Sequence, residues 1–268
     1  MNNPDDFDIF FKNTGSALEV IGSLPSSYLY RFPGLDAFIL STGVRYADEN
    51  WVWVKSDSYS QELLIEVVER FKEKSLQFIW PVFSDSDIQM SLDMDDFGLL
   101  TRKIFRAMIL DSAVDKFTTN LYNPAYLRFS ARRAITPEDA LLWAATCWKG
   151  FTEAETEEDV PREFVELACN AALNDRMSLV LGFVNEEPAG TFMLCKGDGI
   201  MVSHFCVLPA LRNLGVGNAL MNEIIGYNNL IRNRYLVLVA TIAGERLYRK
   251  FGFRNVADVA IRSFSENI

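Results

Sequence analysis

VLPALRNLGVGNAL, residues 207–220, joins the end of a strand to the start of a helix through two glycines. The apolar run GIMVSHFCV (199–207) enters it, Gly215 and Gly217 follow one residue apart, and an amphipathic pattern continues to about Leu230. A strand that turns through glycines into a helix is suited to an anion. Glycine lets the backbone approach a ligand closely, and the first N–H groups of the helix point at it. Arg212 adds a positive charge. Taken alone, the same glycines also fit a tight strand-to-helix turn with nothing bound.

Outward from this loop the pattern stays ordered. Upstream, Tyr126–Arg133 alternates like a strand, and Thr136, Pro137, Glu138 and Asp139 read as a helix start with Thr136 as cap. The spacing predicts Leu141, Leu142, Ala145 and Trp148 on the buried face of that helix, which ends near Gly150. An acidic run, Glu153–Asp159, precedes a second helix from Pro161 to about Leu173. Three strands are expected at Ser178–Val184, Ala189–Lys196 and Gly199–Val207, joined by the turn sequences NEEP and GDG. Downstream come a wholly apolar strand, Tyr235–Ala240, a helix Ala243–Phe251 and a strand Asp258–Phe264.

Two motifs carry a resemblance. The pattern V-x-P-x-x-R-x-x-G-x-G-x-x-L is complete at Val207, Pro209, Arg212, Gly215, Gly217 and Leu220. Some 30 residues on, Gly244, Leu247, Tyr248, Gly252 and Phe253 follow as G-x-x-L-Y-x-x-x-G-F. With both, His204–Phe253 resembles the core of the GNAT superfamily of acetyl-CoA-dependent N-acetyltransferases, and the likeness extends over residues 126–268. It implies an α/β (α+β) fold with a mixed central sheet flanked by helices. It also implies acetyl transfer from acetyl-CoA to a primary amine by direct attack in a ternary complex.

The resemblance assigns roles as well. Backbone groups of Phe205, Cys206 and Val207 would pair with the pantetheine arm, one N–H polarising the thioester carbonyl. Arg212, Asn213, Leu214, Gly215, Val216, Gly217 and Asn218 would hold the pyrophosphate, and Tyr248 would protonate the leaving thiolate. His204, the single histidine, is the candidate base; otherwise it is a satisfied core histidine. Strand alternation puts Ser203 and His204 on opposite sides and does not say which faces the cleft. No serine or cysteine stands beside an obvious base, so no covalent intermediate is expected. Trp143, Trp148 and Phe151 read as core packing first and as an acceptor wall second. The acidic run reads as a solvated loop, or as an attraction for a cationic acceptor.

Residues 1–120 are expected to form a smaller α/β domain before the acetyltransferase-like domain at 126–268. Strands are predicted at Ala37–Ser41, Trp51–Lys55, Leu76–Phe83 and Leu99–Leu110, with helices at Gln61–Lys74 and Ser86–Phe97. The first helix has Leu64, Val67, Val68 and Phe71 on one face. Helix, strand, helix, strand repeats the order at the end of the chain, consistent with a degenerate GNAT-like half lacking the glycine loop. Asp111–Asn123 is the expected linker. This half would complete the acceptor cleft or form the surface of a homodimer.

Composition narrows the classes. Net charge is −10, with −8 in residues 1–125 and −2 in 126–268, so neither half has the basic excess of a nucleic-acid binder. Four cysteines without C-x-x-C spacing and one histidine argue against a metal site and for free thiols in a reducing cytoplasm. The acidic start has no basic region of a secretory signal, and no apolar run reaches membrane-span length. A cytoplasmic protein with a small-molecule or protein amine as partner is expected. A dinucleotide fingerprint would need a third glycine where Leu220 stands. A non-catalytic acyl-CoA-binding sensor or scaffold of the same fold is the competing class, separated by acceptor-dependent thiol release.

Overall fold

The computed structural model describes residues 4–83, 88–113, 128–152 and 160–264. Its first helix, α1 (Pro4–Gly22), has no counterpart in the sequence reading. Phe10, Phe11, Ala17, Leu18, Val20 and Ile21 are all buried, so little of a one-sided apolar stripe is visible. Strands β1 (Tyr28–Arg31), β2 (Ala37–Ser41) and β3 (Trp51–Val54) form an antiparallel sheet. Helix α2 (Gln61–Glu73) buries the predicted Leu64, Val67, Val68 and Phe71, and Ser60 caps it by accepting from the Leu63 N–H. Next come β4 (Trp80–Phe83), α3 (Ile88–Asp96) and β5 (Leu100–Asp111). Strand β4 is shorter than predicted; before it, only Ile79 makes a bridge, parallel to Trp51.

The second half supplies β6 (Phe129–Arg133), α4 (Pro137–Thr152), α5 (Arg162–Ala172), β7 (Met177–Val184), β8 (Glu187–Lys196) and β9 (Ile200–Val207). It ends with α6 (Val216–Ile231), β10 (Tyr235–Thr241), α7 (Ile242–Lys250) and β11 (Arg254–Ser263). The predicted order is present throughout. On α4, however, Leu141 is exposed, and the buried face is Ala140, Trp143, Ala144 and Cys147. Those four have i, i+3, i+4, i+7 spacing; Leu141 points away from them, while Ala145 is buried and Leu142 and Trp148 are partly buried against the core, as predicted.

One eight-stranded mixed sheet runs β4-β11-β5-β10-β9-β8-β7-β6. At one end of it the two halves exchange strands. β11 lies beside β4, β5 lies beside β10, and β11 and β5 pair antiparallel between them. Each half thus places its last strand against the other half's penultimate one. Asp111 is part of β5 rather than linker, held by Arg234 at 3.1 Å; residues 114–123 lie outside the described residues. Helices α1, α4 and α5 cover one face of the sheet, α6 and α7 the other.

Candidate active site

Strand β9 is the axis of the site. On one edge it pairs parallel with β10 only at Ile200 and Met201, after which the two strands part. On the other it pairs with β8, and the register slips between Met193–Ser203 and Thr191–Cys206. His204 sits in that bulge at φ 49°, a left-handed backbone that a histidine adopts only when its surroundings hold it. The Thr191 hydroxyl donates to the His204 carbonyl at 3.0 Å. Residues 203–207 therefore keep one backbone edge turned to the gap, as pairing with an extended polar ligand requires.

The bulge cancels simple alternation. Ser203 and His204 line the same pocket, and Ser203 Oγ lies 3.2 Å from His204 Nδ1. The sequence expectation that no serine stands beside a base is corrected by this contact. His204 Nε2 meets Glu49 Oε1 at 3.1 Å, with both side chains largely buried. A carboxylate only accepts, so Nε2 carries the proton in the neutral ring and Nδ1 presents its lone pair to the Ser203 hydroxyl. Burial pushes the His204 imidazole down, but the charge and hydrogen bond of Glu49, with Cys206 and Asp48, bring it net above its ordinary value.

Glu49 comes from the first half, in a single helical turn, Ala47–Glu49. Its neighbour Asn50 is fully buried and holds that turn. Asn50 donates to the carbonyls of Val44 and Gln77 at 2.8 Å each, and accepts from the Thr42 N–H at 3.0 Å. Sequence reasoning did not find Glu49, and it named Ser203 only as the residue on the strand face opposite His204. An Asp48-Glu49-Asn50 run in a polar loop looks solvated, and only the folded contact distinguishes it.

A pocket of about 180 Å³ opens on the α1–α4–α5 face against this cluster. Trp148 and Phe151 line it, while Trp143 is core and donates to the Phe192 carbonyl at 3.2 Å. The Trp143 and Phe164 rings lie 5.5 and 5.9 Å from the imidazole and bracket it. The acidic run Glu153–Asp159 lies outside the described residues.

The loop after β9 reaches α6 through two left-handed residues, Asn213 at φ 63° and Gly215 at φ 93°. Gly215 is the residue before the helix, so the free N–H groups of the first turn begin at Val216. Gly217 packs α6 onto α7: a Cβ there would meet Leu247 Cδ2 at 3.3 Å. Arg212 donates to the carbonyls of Val207 at 3.2 Å and Gly150 at 2.9 Å, tying the loop root to β9 and α4. Across the gap, the Tyr248 ring on α7 lies edge-on to Phe205, 5.7 Å between centroids. Burial, and then the charge of Cys206, raise the Tyr248 phenol well above its ordinary value, so it is protonated at neutral pH.

A free strand edge followed by an unblocked helix N-terminus suits an extended amide arm carrying a diphosphate. The side chain of Cys206 is engaged elsewhere. Its Sγ is 3.2 Å from Thr191 Oγ1 and packs against Gly150 of α4. The four cysteines are free thiols, three buried and Cys169 partly so. Among the described residues no group of three His, Cys, Asp or Glu side chains could hold a metal ion, and no helix is long and apolar enough to cross a membrane.

Residues 151–264 match the family model for an acetyltransferase (GNAT) domain. Among solved structures, a GCN5-related N-acetyltransferase from Kribbella flavida aligns at TM-score 0.63 and 10% identity, covering 95% of each chain. A tandem GNAT protein from the clavulanic acid biosynthesis pathway aligns at TM-score 0.57 and 12% identity, covering 97% of this chain and 95% of that one. A functionally unknown conserved protein from Staphylococcus epidermidis aligns at TM-score 0.63 and 12% identity, covering 90% and 95%. At these identities the likeness is one of fold, and it takes in both halves. No curated protein matches the sequence.

Proposed function

We propose that this chain, which carries a GNAT acetyltransferase domain over residues 151–264, transfers an acetyl group from acetyl-CoA to a primary amine by direct attack in a ternary complex. One observation carries the reading. Strand β9 parts from β10 after Met201, and along its length unpaired with β10 it carries His204 of the pocket and then runs into the glycine loop. Backbone groups of Phe205, Cys206 and Val207 align the pantetheine arm, and an N–H at the bulge stabilises charge developing on the thioester oxygen. Residues Arg212–Asn218 hold the diphosphate at the start of α6. Acetyl-CoA supplies the activated acyl group; the chain supplies position and proton transfer.

The acceptor occupies the pocket. Its amine must lose a proton to attack, and the lone pair of His204 Nδ1 receives it, with Ser203 Oγ as relay. Glu49 orients the ring and stabilises the imidazolium that forms. Tyr248 is protonated, and from α7 it supplies the proton to the departing thiolate.

Isothermal titration with acetyl-CoA tests the cofactor half of this reading. The control, Gly215→Glu/Gly217→Glu, puts two carboxylates where the diphosphate would lie. Micromolar binding by the wild type and its loss in the variant are expected, followed by thiol release that depends on added amine. An absence of binding in the wild type would end the proposal.

A further inference from the structure

The pocket is built from both halves, and its lining names a class of acceptor. Leu18 and Leu40 come from the first half; Leu167, Met177 and Met193 come from the second, making an apolar chamber. Thr42, Tyr46 and Thr152 are polar residues of its lining, and two other polar places bear on the occupant. Glu49, Asp48 and His204 gather at the β9 bulge. Thr14 is 1% exposed and also lines the pocket, and its Oγ1 has no hydrogen-bond partner among the described residues.

The two polar ends are separated along β9. Thr14 directly follows Asn13 on α1, whose side chain lies against Gly199; Ser16, on another side of the helix, accepts from the Asp198 N–H at 2.8 Å. Those contacts fall at the turn entering β9, and His204 lies several residues further on. At about 3.3 Å per residue, the separation is on the order of 10–15 Å. A buried hydroxyl left unbonded is costly, so a polar atom of the occupant belongs beside it. Asp48 is paired with Lys103 at 2.9 Å, so it is Glu49 beside His204 that makes the opposite end suit an amine and not an acyl tail.

We propose that the acceptor is an elongated lipophilic amine with one hydrogen-bonding group at the end remote from the nitrogen, received by Thr14. This rests on the acyl-transfer reading above. A polyamine would leave charges in the apolar chamber without partners, and a protein terminus would not be enclosed by it.

The experiment measures kcat/KM by thiol release for alkylamines and ω-amino alcohols of increasing chain length, with spermidine as the hydrophilic control. Wild type is compared with Thr14→Val, which keeps shape and removes the hydroxyl, and Leu18→Trp, which fills the chamber. Melting temperature and acetyl-CoA affinity are measured for each. Rates should rise about three- to fourfold per added methylene until the chamber is full. At the best length the terminal hydroxyl should add about three- to tenfold, and Thr14→Val should erase that gain alone. Leu18→Trp should abolish the length dependence with acetyl-CoA affinity unchanged.

Preference for spermidine, or a hydroxyl gain that survives Thr14→Val, would overturn the inference. So would an octanoyl-CoA preference over acetyl-CoA that Leu18→Trp reverses, since the chamber would then belong to the donor; acyl transfer itself would stand. A wild type that binds no acetyl-CoA would remove the acyl-transfer reading and the inference with it.

Discussion

Nε2 of His204 lies 3.1 Å from Oε1 of Glu49, across 155 residues of sequence and across the two halves of the chain. The pair sets the pH dependence of both activity and stability. His204 is raised above its ordinary value, so kcat/KM should climb with pH along a limb above about 6.5, as the ring becomes neutral. Glu49→Gln removes the charge that raises it, leaving burial to push it down, and the limb should move to lower pH. His204→Gln should lower kcat by about 10²–10³-fold. For stability the sign is the reverse. The contribution of the charged pair is full below about 6.5 and is lost as pH rises through the folded value. A pH–rate limb that stays in place in Glu49→Gln would break the assignment.

Ser203 is expected to relay a proton and not to carry the acyl group. Ser203→Ala should reduce turnover by about tenfold, with water taking its place beside Nδ1. Intact-mass analysis after mixing with acetyl-CoA alone decides the point. A stable adduct of one acetyl group on Ser203 would replace direct attack with a covalent route.

Asn50 touches no substrate in this scheme and acts through Glu49. Asn50→Ala leaves a buried backbone N–H and the carbonyls of Val44, Tyr46 and Gln77 without this partner, at a cost of about 2–3 kcal/mol by urea denaturation. Its acidic limb should shift in the same direction as in Glu49→Gln, since the carboxylate is no longer held. If stability falls while the pH profile stays unchanged, Asn50 is structural only.

Tyr248→Phe keeps the ring contacts with Phe205 and Phe253 and deletes the hydroxyl. Turnover should drop by about 10²-fold while acetyl-CoA affinity by calorimetry stays within a factor of two. Equal losses in both would assign the phenol to binding.

Gly150 lets α4 approach β9. A Cβ there would lie 2.4 Å from Cys206 Sγ, so Gly150→Ala should cost about 1–3 kcal/mol. Adding Cys206→Ala should recover part of that loss, because the sulfur is the nearer of the two obstructing atoms. A strictly additive double variant in thermal unfolding would show that the two sites are not in contact.

The glycine loop was legible because its chemistry is local: a strand, a left-handed Gly215 and a helix start are written in consecutive residues. The order of elements from Pro137 to Ser263 was legible for the same reason. The base cluster was not. It depends on a bulge that turns His204 into the same pocket as Ser203, which period-two alternation forbids, and on Glu49, which reaches the site only through the fold. Helix α1 escaped because its packing leaves apolar residues on several sides, and Leu141 misled because hydrophobicity outweighed spacing in the reading of α4.

The strand exchange at the β4 end of the sheet has a consequence for how the molecule is made. When β4 and β5 leave the ribosome, the strands that flank them, β11 and β10, have yet to be synthesised. Until then the nascent chain carries two strands without their partners, one of them the twelve-residue β5, with apolar faces and unpaired amides exposed to neighbouring chains. The sheet closes only when the last strands arrive, through pairings more than a hundred residues apart in sequence, such as Ala260 with Ile104. Loss of the final strand by truncation would therefore undo the first half as well as the second, leaving β4 and β5 as sticky ends.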